Sequence, residues 1–234
     1  MSKERIDALV KLIDEADAAY WDRNETIITD SEYDKIVSEL SLLDPENDVF
    51  NQVGRRVSSG ESVRHRERML SLGKTTELEE ISKWAKGVGS PTLIATPKVD
   101  GVAVSIKYDH HILVQAVTRG DGTFGEDITA NVLAIPGIPN RIHEERAEVR
   151  GEICMFKTVF DKLYMSDFAN PRNLAAGTLK GKSAEHISRC GDLTFIGYDF
   201  IPDTMPDQMN MLERYGALIG NGFNNAPYRS NIFI

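Results

Sequence analysis

A lysine and an aspartate lie two residues apart between two apolar stretches of the chain. The segment is Lys98-Val99-Asp100-Gly101, between Pro91–Thr96 and Val102–Asp109. Apolar neighbours lower the pKa of a lysine by desolvation, and its free lone pair can then attack an electrophile. A nearby carboxylate can orient the amine or a substrate hydroxyl, and a glycine lets a ligand approach the backbone. We therefore interpret Lys98 as a candidate nucleophile, expected to be partly desolvated in a tight turn between two core strands. The ordinary alternative is a solvated surface lysine.

A glycine-rich segment from Val117 to Asp127 carries one arginine, Arg119. Backbone N–H groups and a guanidinium in such a segment can bind a ribose or a phosphate. The alternative is a loop between strands whose turns need glycine for positive φ. The segment does not have the glycine spacing of a Rossmann dinucleotide site, and no strand-loop-helix context supports one.

A strand is predicted from Glu148 to Met155 because apolar and polar residues alternate there. Its two faces carry Val149, Gly151 and Ile153 on one side and Arg150, Glu152 and Cys154 on the other. The carboxylate of Glu152 is a candidate to bind a ribose hydroxyl or a metal ion. The alternative is a surface residue or an ion-pair partner of Arg150.

A turn at Asn170-Pro171 opens a predicted helix that is strongest from Leu174 onward. Arg172 lies beside the helix N-terminus, where N–H groups and the helix dipole favour a phosphate. The alternative is an ordinary capped helix with basic residues, Lys180 and Lys182, near its C-terminal end.

Three amphipathic helices are predicted outside these segments from apolar residues at helical spacing. They cover Lys3–Asp22, Ser31–Asp44 and Thr76–Val88. Asp30 is the expected N-cap of the second helix, and Tyr33 then stands at N3, where a full capping box has Glu or Gln.

Strand-like runs separated by Gly and Asp turns extend from Pro91 to about Val159, and a further strand is predicted over Leu193–Phe200. The elements lack the regular alternation of a parallel βαβ sheet, which favours an α+β fold. We place a small helical domain at residues 1–60 and a larger domain at 61–234.

The composition is that of a globular protein, with 234 residues and a net charge of −9. A protein that binds a DNA backbone alone usually has a basic balance, so contact with nucleic acid is expected to be local or shared with a partner. Cys154 and Cys190 have no metal-like spacing, which favours reduced thiols. No apolar run approaches bilayer length and no signal-peptide core begins the chain, so we expect a cytoplasmic protein without membrane contact.

The segments KVDG, TRGDGTFGED, VRGE and NPRNLAAGTLK, in this order, resemble the adenylation region of NAD-dependent DNA ligases. RMLSLGK and the helical AYWD…TDSEYD resemble upstream elements of the same family. The resemblance extends from about residue 5 to about residue 225. It implies a helical clamp followed by a nucleotidyltransferase domain of antiparallel sheets, of the ATP-grasp-like fold shared by DNA ligases and capping enzymes.

The resemblance implies that a lysine attacks NAD, keeps AMP as a phosphoramide and releases nicotinamide mononucleotide. AMP then passes to the 5′-phosphate of a DNA nick during replication or repair, and Mg²⁺ assists. Lys98 matches the nucleophile, Asp100 and Gly101 match its motif companions, and Glu152 matches the ribose-binding carboxylate. The remaining matches are Arg119 on the ribose side, Arg172 near the phosphates, Ser71 and Leu72 in the adenylate pocket, and Tyr20, Asp30, Tyr33 and Asp34 in the nicotinamide clamp. Thr96 and Trp21 occupy further positions of the adenylate pocket and of the clamp.

Three positions depart from the family pattern. Thr96 stands where the family usually has a Glu that reads adenine, Trp21 where a His follows the first clamp tyrosine, and Lys180 where a second Arg follows the NPRN segment. For Tyr20 and Tyr33, packing between helices is the alternative to nicotinamide binding.

The family's lysine-bearing strands, OB-fold, zinc finger and helix-hairpin-helix repeats are not matched in this sequence. We therefore expect a nucleotidyltransferase domain that is incomplete at its C-terminus, in a split ligase of the kind a bacteriophage encodes. A second chain would supply the missing strands and the DNA-binding modules. Two alternatives stay open: a non-catalytic NAD-binding or regulatory module descended from a ligase, and an engineered part of a longer ligase.

Overall fold

The computed structural model describes residues 2–19, 27–44, 47, 49, 62–88, 93–204 and 209–232. The chain divides into two compact units. The first comprises residues 1–70 with 119–126, and the second comprises residues 71–118 with 127–234.

Two packed helices form the helical part of the first unit. Helix α1 covers Ser2–Ala18 and helix α2 covers Asp30–Leu43, which confirms both predicted helices. Their apolar faces meet in a cluster of buried side chains made by Leu9, Ile13 and Leu40. The guanidinium of Arg5 on α1 adds a bidentate pair with the Glu39 carboxylate on α2, with both N–O distances at 2.7 Å.

The N-cap of α2 is Thr29, so the prediction of Asp30 as the cap is wrong. The Thr29 hydroxyl accepts a hydrogen bond from the backbone N–H of Glu32, and the Glu32 carboxylate accepts one from the backbone N–H of Thr29. A full capping box is therefore present, one residue earlier than expected. The reason is that a threonine followed by Glu at N3 satisfies two backbone donors, which an aspartate followed by Tyr33 cannot.

The first unit also contains a short two-stranded antiparallel sheet. Strand β1 covers Ser62–Arg64 and pairs with β5, Phe124–Glu126. The backbone N–H of Met69 donates to the Gly122 carbonyl at 2.9 Å, which ties the segment after β1 to the glycine-rich segment before β5.

A four-stranded antiparallel sheet is the centre of the second unit. Its order is β4-β3-β6-β7, and the strands cover Ile112–Thr118, Val102–Asp109, Arg146–Cys154 and Thr194–Pro202. The predicted alternation is confirmed, because one sheet face forms the core with side chains that include Val104, Ile106, Val149, Ile153, Phe195 and Phe200. The α+β prediction with antiparallel sheets is confirmed as well.

The second unit also contains six helices and a second small sheet within the described residues. The helices are α3 (Leu78–Val88), α4 (Thr129–Val132), α5 (Lys157–Leu163), α6 (Pro171–Lys180), α7 (Ala184–Arg189) and α8 (Met211–Gly220). Strand β2, Leu93–Ala95, pairs with β8, Arg229–Ile232, in an antiparallel sheet of two strands. Of the helices described, none has both the length and the apolar character needed to cross a bilayer.

Candidate active site

Lys98 lies in a connection of six residues between the end of β2 at Ala95 and the start of β3 at Val102. Its side chain is exposed, so the prediction of a partly desolvated amine in a tight turn is wrong. The reason is that β2 is not a core strand. It pairs with β8 in a sheet separate from that of β3, and the connection between the two sheets is longer and more open than a hairpin turn.

Gly101 brings the end of this connection against β6. A Cβ atom at this position would lie 2.3 Å from the Ile153 carbonyl oxygen and 3.0 Å from Cγ of Glu152. No ordinary contact is that short, so only glycine fits without a shift of the backbone. The close approach lets the backbone N–H of Gly101 donate to the Glu152 carboxylate, which couples the connection to the strand beside it.

Glu152 is a half-buried carboxyl group on β6, paired across the sheet with Ala103 of β3 and Ile196 of β7. Burial raises the pKa of Glu152. The positive charges of Lys98 and Arg172 oppose that rise, and the negative charge of Asp100 adds to it. The structure therefore places the groups of Lys98, Asp100 and Arg172 within electrostatic range of this one carboxyl.

Arg172 reaches the site from the first turn of α6. The Asn170 side chain caps the helix by accepting from the Asn173 N–H at 2.8 Å, and Pro171 follows in the first turn. The helix thus begins at the predicted turn, three residues before Leu174, where the predicted helical pattern is strongest. Nη1 of Arg172 donates to Oδ1 of Asp100 at 2.7 Å, so the carboxylate expected to orient the Lys98 amine is bonded to an arginine.

Thr96, two residues before Lys98 in the chain, contacts Tyr215. The Thr96 side chain hydrogen-bonds the hydroxyl of Tyr215, and burial is the main cause that raises the pKa of Tyr215. Tyr215 is a buried residue of α8, and its ring lies 5.0 Å from that of Tyr228. Sequence reasoning missed Tyr215. The available sequence signal was a helical pattern over Met211–Gly220, with Asn210 as N-cap and Glu213 at N3 of a capping box.

Two expected pocket residues, Ser71 and Leu72, lie in the extended segment that precedes α3. Both are exposed, Leu72 to 80%. Arg119 belongs to the first unit, where its Nε donates to the Met69 carbonyl at 3.2 Å and its own carbonyl contacts Nε2 of His65. The roles of these three residues in an adenylate pocket stay predictions.

The nicotinamide clamp is only partly covered by the described residues. Tyr20 and Trp21 lie outside them, and Asp30 and Asp34 are placed on α2 by their backbone alone. Tyr33 is half-buried and packs against the cluster of Leu9, Ile13 and Leu40, as the helix-packing alternative expects. A role for these five residues in binding nicotinamide stays a prediction.

No group of three or more His, Cys, Asp or Glu side chains that could hold a metal ion occurs in the described part of the chain. The described carboxylates nearest Lys98, Asp100 and Glu152, interact with Arg172 and Gly101. The described residues do not form a dedicated protein site for Mg²⁺.

Comparison with known proteins identifies the family of this chain. Residues 58–228 match the NAD-dependent DNA ligase adenylation domain, and residues 1–50 match the DNA ligase-like, N-terminal NAD⁺-binding domain. The chain belongs to the NAD-dependent DNA ligase family. Lys98, Asp100, Glu152 and Arg172, which the structure brings together, all lie inside the region of this chain that matches the adenylation domain.

Similar proteins include the DNA ligases of Petrotoga mobilis and Onion yellows phytoplasma. The first is 36% identical, over 96% of this chain and 38% of its own length. The second is 37% identical, over 97% of this chain and 36% of its own length. This chain therefore spans little more than a third of the length of either relative.

Among solved structures, the ATP-dependent DNA ligase from bacteriophage T7 in complex with ATP is similar, with a TM-score of 0.37 and 16% identity. The likeness covers 67% of this chain and 53% of the T7 chain.

Proposed function

We propose that this chain carries out the adenylation step of an NAD-dependent DNA ligase, with Lys98 as the nucleophile. The observation that supports it is the convergence of Lys98, Asp100 and Arg172 on the half-buried Glu152 carboxyl. These groups come from three separate segments: the connection before β3, strand β6 and the first turn of α6.

The proposed step joins the Lys98 amine to the α-phosphorus of NAD. The amine first loses a proton, because an ammonium has no lone pair. Its nitrogen then forms an N–P bond, the P–O bond to the nicotinamide mononucleotide breaks, and that mononucleotide leaves with the bonding electrons. The product is a lysyl-AMP phosphoramide, from which AMP would pass to the 5′-phosphate of a nick before the 3′-hydroxyl displaces it.

The neighbouring groups suit the parts of such a substrate. A carboxylate accepts hydrogen bonds from ribose hydroxyls, and Glu152 stands on a rigid strand held by a backbone N–H. A guanidinium binds phosphate oxygens through several donors, and Arg172 stands at a helix N-terminus. We assign ribose binding to Glu152 and phosphate binding to Arg172.

Mg²⁺ enters the proposal only through the phosphates of the substrate. Magnesium in phosphoryl-transfer sites commonly binds one or two carboxylates together with substrate oxygens.

Mass spectrometry of the chain after exposure to NAD tests the proposal. We expect the mass of one added AMP, located on Lys98 by peptide mapping, and none in Lys98→Ala. Lys83→Ala, which removes an exposed lysine of α3, serves as the matched control and should retain the adduct. A chain that stays unmodified with NAD and Mg²⁺, both alone and with a candidate partner, contradicts the proposal.

We also propose that nick sealing needs a second chain with DNA-binding modules. The support is the net charge of −9, which opposes binding to a phosphate backbone. A nicked duplex with a labelled strand should be sealed only when this chain, NAD and the partner are combined. Sealing by this chain alone contradicts the requirement for a partner.

The second candidate is an NAD-binding module without chemistry, and the exposure of Lys98 favours it. If this candidate is right, the affinity for NAD measured by calorimetry is unchanged in Lys98→Ala, and no AMP is transferred in any mixture. The adenylation proposal expects the AMP adduct, so the same mass spectra separate the two candidates.

A further inference from the structure

An ion pair joins the Lys98 segment to α6 through Asp100 and Arg172. Nη1 of Arg172 donates to Oδ1 of Asp100 at 2.7 Å, between residues 72 positions apart. The Asp100 side chain is 75% exposed and that of Arg172 is 31% exposed. An ion pair this open to water adds little to the free energy of folding, so holding the fold together is a weak explanation for it.

The donors that hold a carboxylate are also those that hold a phosphate. A guanidinium presents its N–H groups in a fixed fork that fits carboxylate and phosphate oxygens alike. The Asp100 carboxylate therefore occupies a donor of Arg172 that an arriving phosphate oxygen needs. Because Asp100 is mostly exposed, it can leave this position at the surface without opening the core.

The charges around the ion pair support the same interpretation. Glu152 adds a second carboxyl group in the field of Lys98 and Arg172. The charges of two basic and one acidic side chain thus act on the acidic Glu152, and such a set attracts an anion less strongly than the basic groups alone.

We propose that Asp100 is an internal competitor for Arg172, whose carboxylate occupies the position of a substrate phosphate until a pyrophosphate-bearing substrate displaces it. The inference rests on the proposed function for the class of that substrate. Asp100 then disfavours binding of stray anions, and a ligand must bring enough phosphate contacts to replace the ion pair.

Calorimetric titration with inorganic pyrophosphate at fixed ionic strength tests the competition. Asp100→Asn keeps the shape of the side chain and removes its charge. We expect it to bind pyrophosphate about fivefold more tightly than the wild-type chain, the size expected for one exposed ion pair. The gain should be absent from Asp100→Asn/Arg172→Gln, because the guanidinium that benefits is gone.

Asp109→Asn is the matched control. Asp109 pairs with Arg146 at 2.6 Å at the opposite end of β3, roughly 23 Å along the strand at about 3.3 Å per residue. This variant loses the same charge and should leave pyrophosphate affinity unchanged. Equal or weaker binding by Asp100→Asn overturns the proposal. So does an equal gain in Asp109→Asn, or a gain that persists without Arg172.

Melting curves confirm that each variant is folded, and Asp100→Ser replaces Asp100→Asn if the latter melts below the assay temperature. Pyrophosphate binding requires no transfer of AMP. If Lys98 stays unmodified after NAD treatment, the proposed function is contradicted and the pyrophosphate result still stands. If pyrophosphate affinity is unchanged in Asp100→Asn, the competition is contradicted and the adenylation proposal still stands.

Discussion

At the scale of single residues, the site depends on how closely the connection before β3 approaches β6. Gly101 is the point of closest approach, because a Cβ there would lie 2.3 Å from the Ile153 carbonyl oxygen. The residue types of the site were predictable from the sequence, but this contact was not. It joins residues about fifty positions apart, and no local pattern reports such a distance.

Gly101→Ala should therefore destabilise the protein. Forcing a methyl group against a backbone carbonyl costs about 1–3 kcal/mol of unfolding free energy, and urea denaturation measures it. Gly177→Ala is the control, since Gly177 lies in α6 with no atom within 4 Å of an added Cβ. That variant should gain about 0.5–1 kcal/mol from helix propensity. Equal effects of both substitutions would count against a steric role for Gly101.

The carboxyl of Glu152 predicts a pH dependence. Burial raises its pKa in the folded chain, so the folded state binds this proton more readily than the unfolded state. Its contribution to stability is fully present below the ordinary Glu pKa of about 4.3. That contribution is lost as the pH rises through the elevated folded-state pKa.

Comparison with Glu152→Gln isolates this effect. The stability of the wild-type chain relative to the variant should fall as the pH rises from about 4. Urea denaturation at a series of pH values gives the difference. A difference that grows with pH would mean that the pKa of Glu152 is lowered by Lys98 and Arg172 more than it is raised by burial.

At the scale of elements, strong periodicity predicted strands and helices, and capping chemistry decided where they begin. Helix α6 starts at Pro171 because Asn170 caps it, although the apolar pattern begins only at Leu174. The pairing of β2 with β8 could not be predicted, because β8 has four residues and β2 has three. Pairs that short leave no period to detect.

The start of α2 gives a direct test of capping. Thr29→Ala removes the side chain that accepts from the Glu32 N–H and should cost about 1 kcal/mol of unfolding free energy. Asp30→Ala changes only the first helical position and should cost less. Circular dichroism during urea denaturation measures both, and a larger loss in Asp30→Ala would restore Asp30 as the cap.

The turn between β3 and β4 carries backbone strain. His110 and His111 have φ angles of 49° and 68°, a region that Asn and Gly occupy more easily. His110→Asn should raise the melting temperature and add up to about 1 kcal/mol of stability. His143→Asn is the control, because φ of His143 is not positive. A loss of stability in His110→Asn would show that the contact of its side chain with Asp109 outweighs the relief of strain.

At the scale of the whole molecule, the order of motifs predicted the family and the α+β fold, whereas the spatial grouping came only from the structure. Residues 119–126 group with the N-terminal unit because β5 pairs with β1. That pairing links segments about sixty residues apart, and each strand has three residues. Hydrophobic pattern alone could not have shown it.

The overall charge predicts weak binding of this chain to DNA. With a net charge of −9, long-range attraction to a phosphate backbone is absent, and a dissociation constant weaker than about 10⁻⁴ M at physiological salt is expected. Fluorescence anisotropy with a labelled nicked duplex measures this value. Micromolar affinity that falls steeply with salt would reveal a local basic surface strong enough to overcome the overall charge.

The pairing of β2 with β8 has a consequence for synthesis on the ribosome. Ala95, three residues before Lys98, pairs with Arg229, so the strand that leads to the lysine lacks its partner until more than 130 further residues have been translated. At about 5–20 residues per second, that delay is on the order of ten seconds. During that interval, the connection that carries Lys98 begins at a strand without its sheet partner, and the β2-β8 sheet can form only after Arg229–Ile232 has been synthesised.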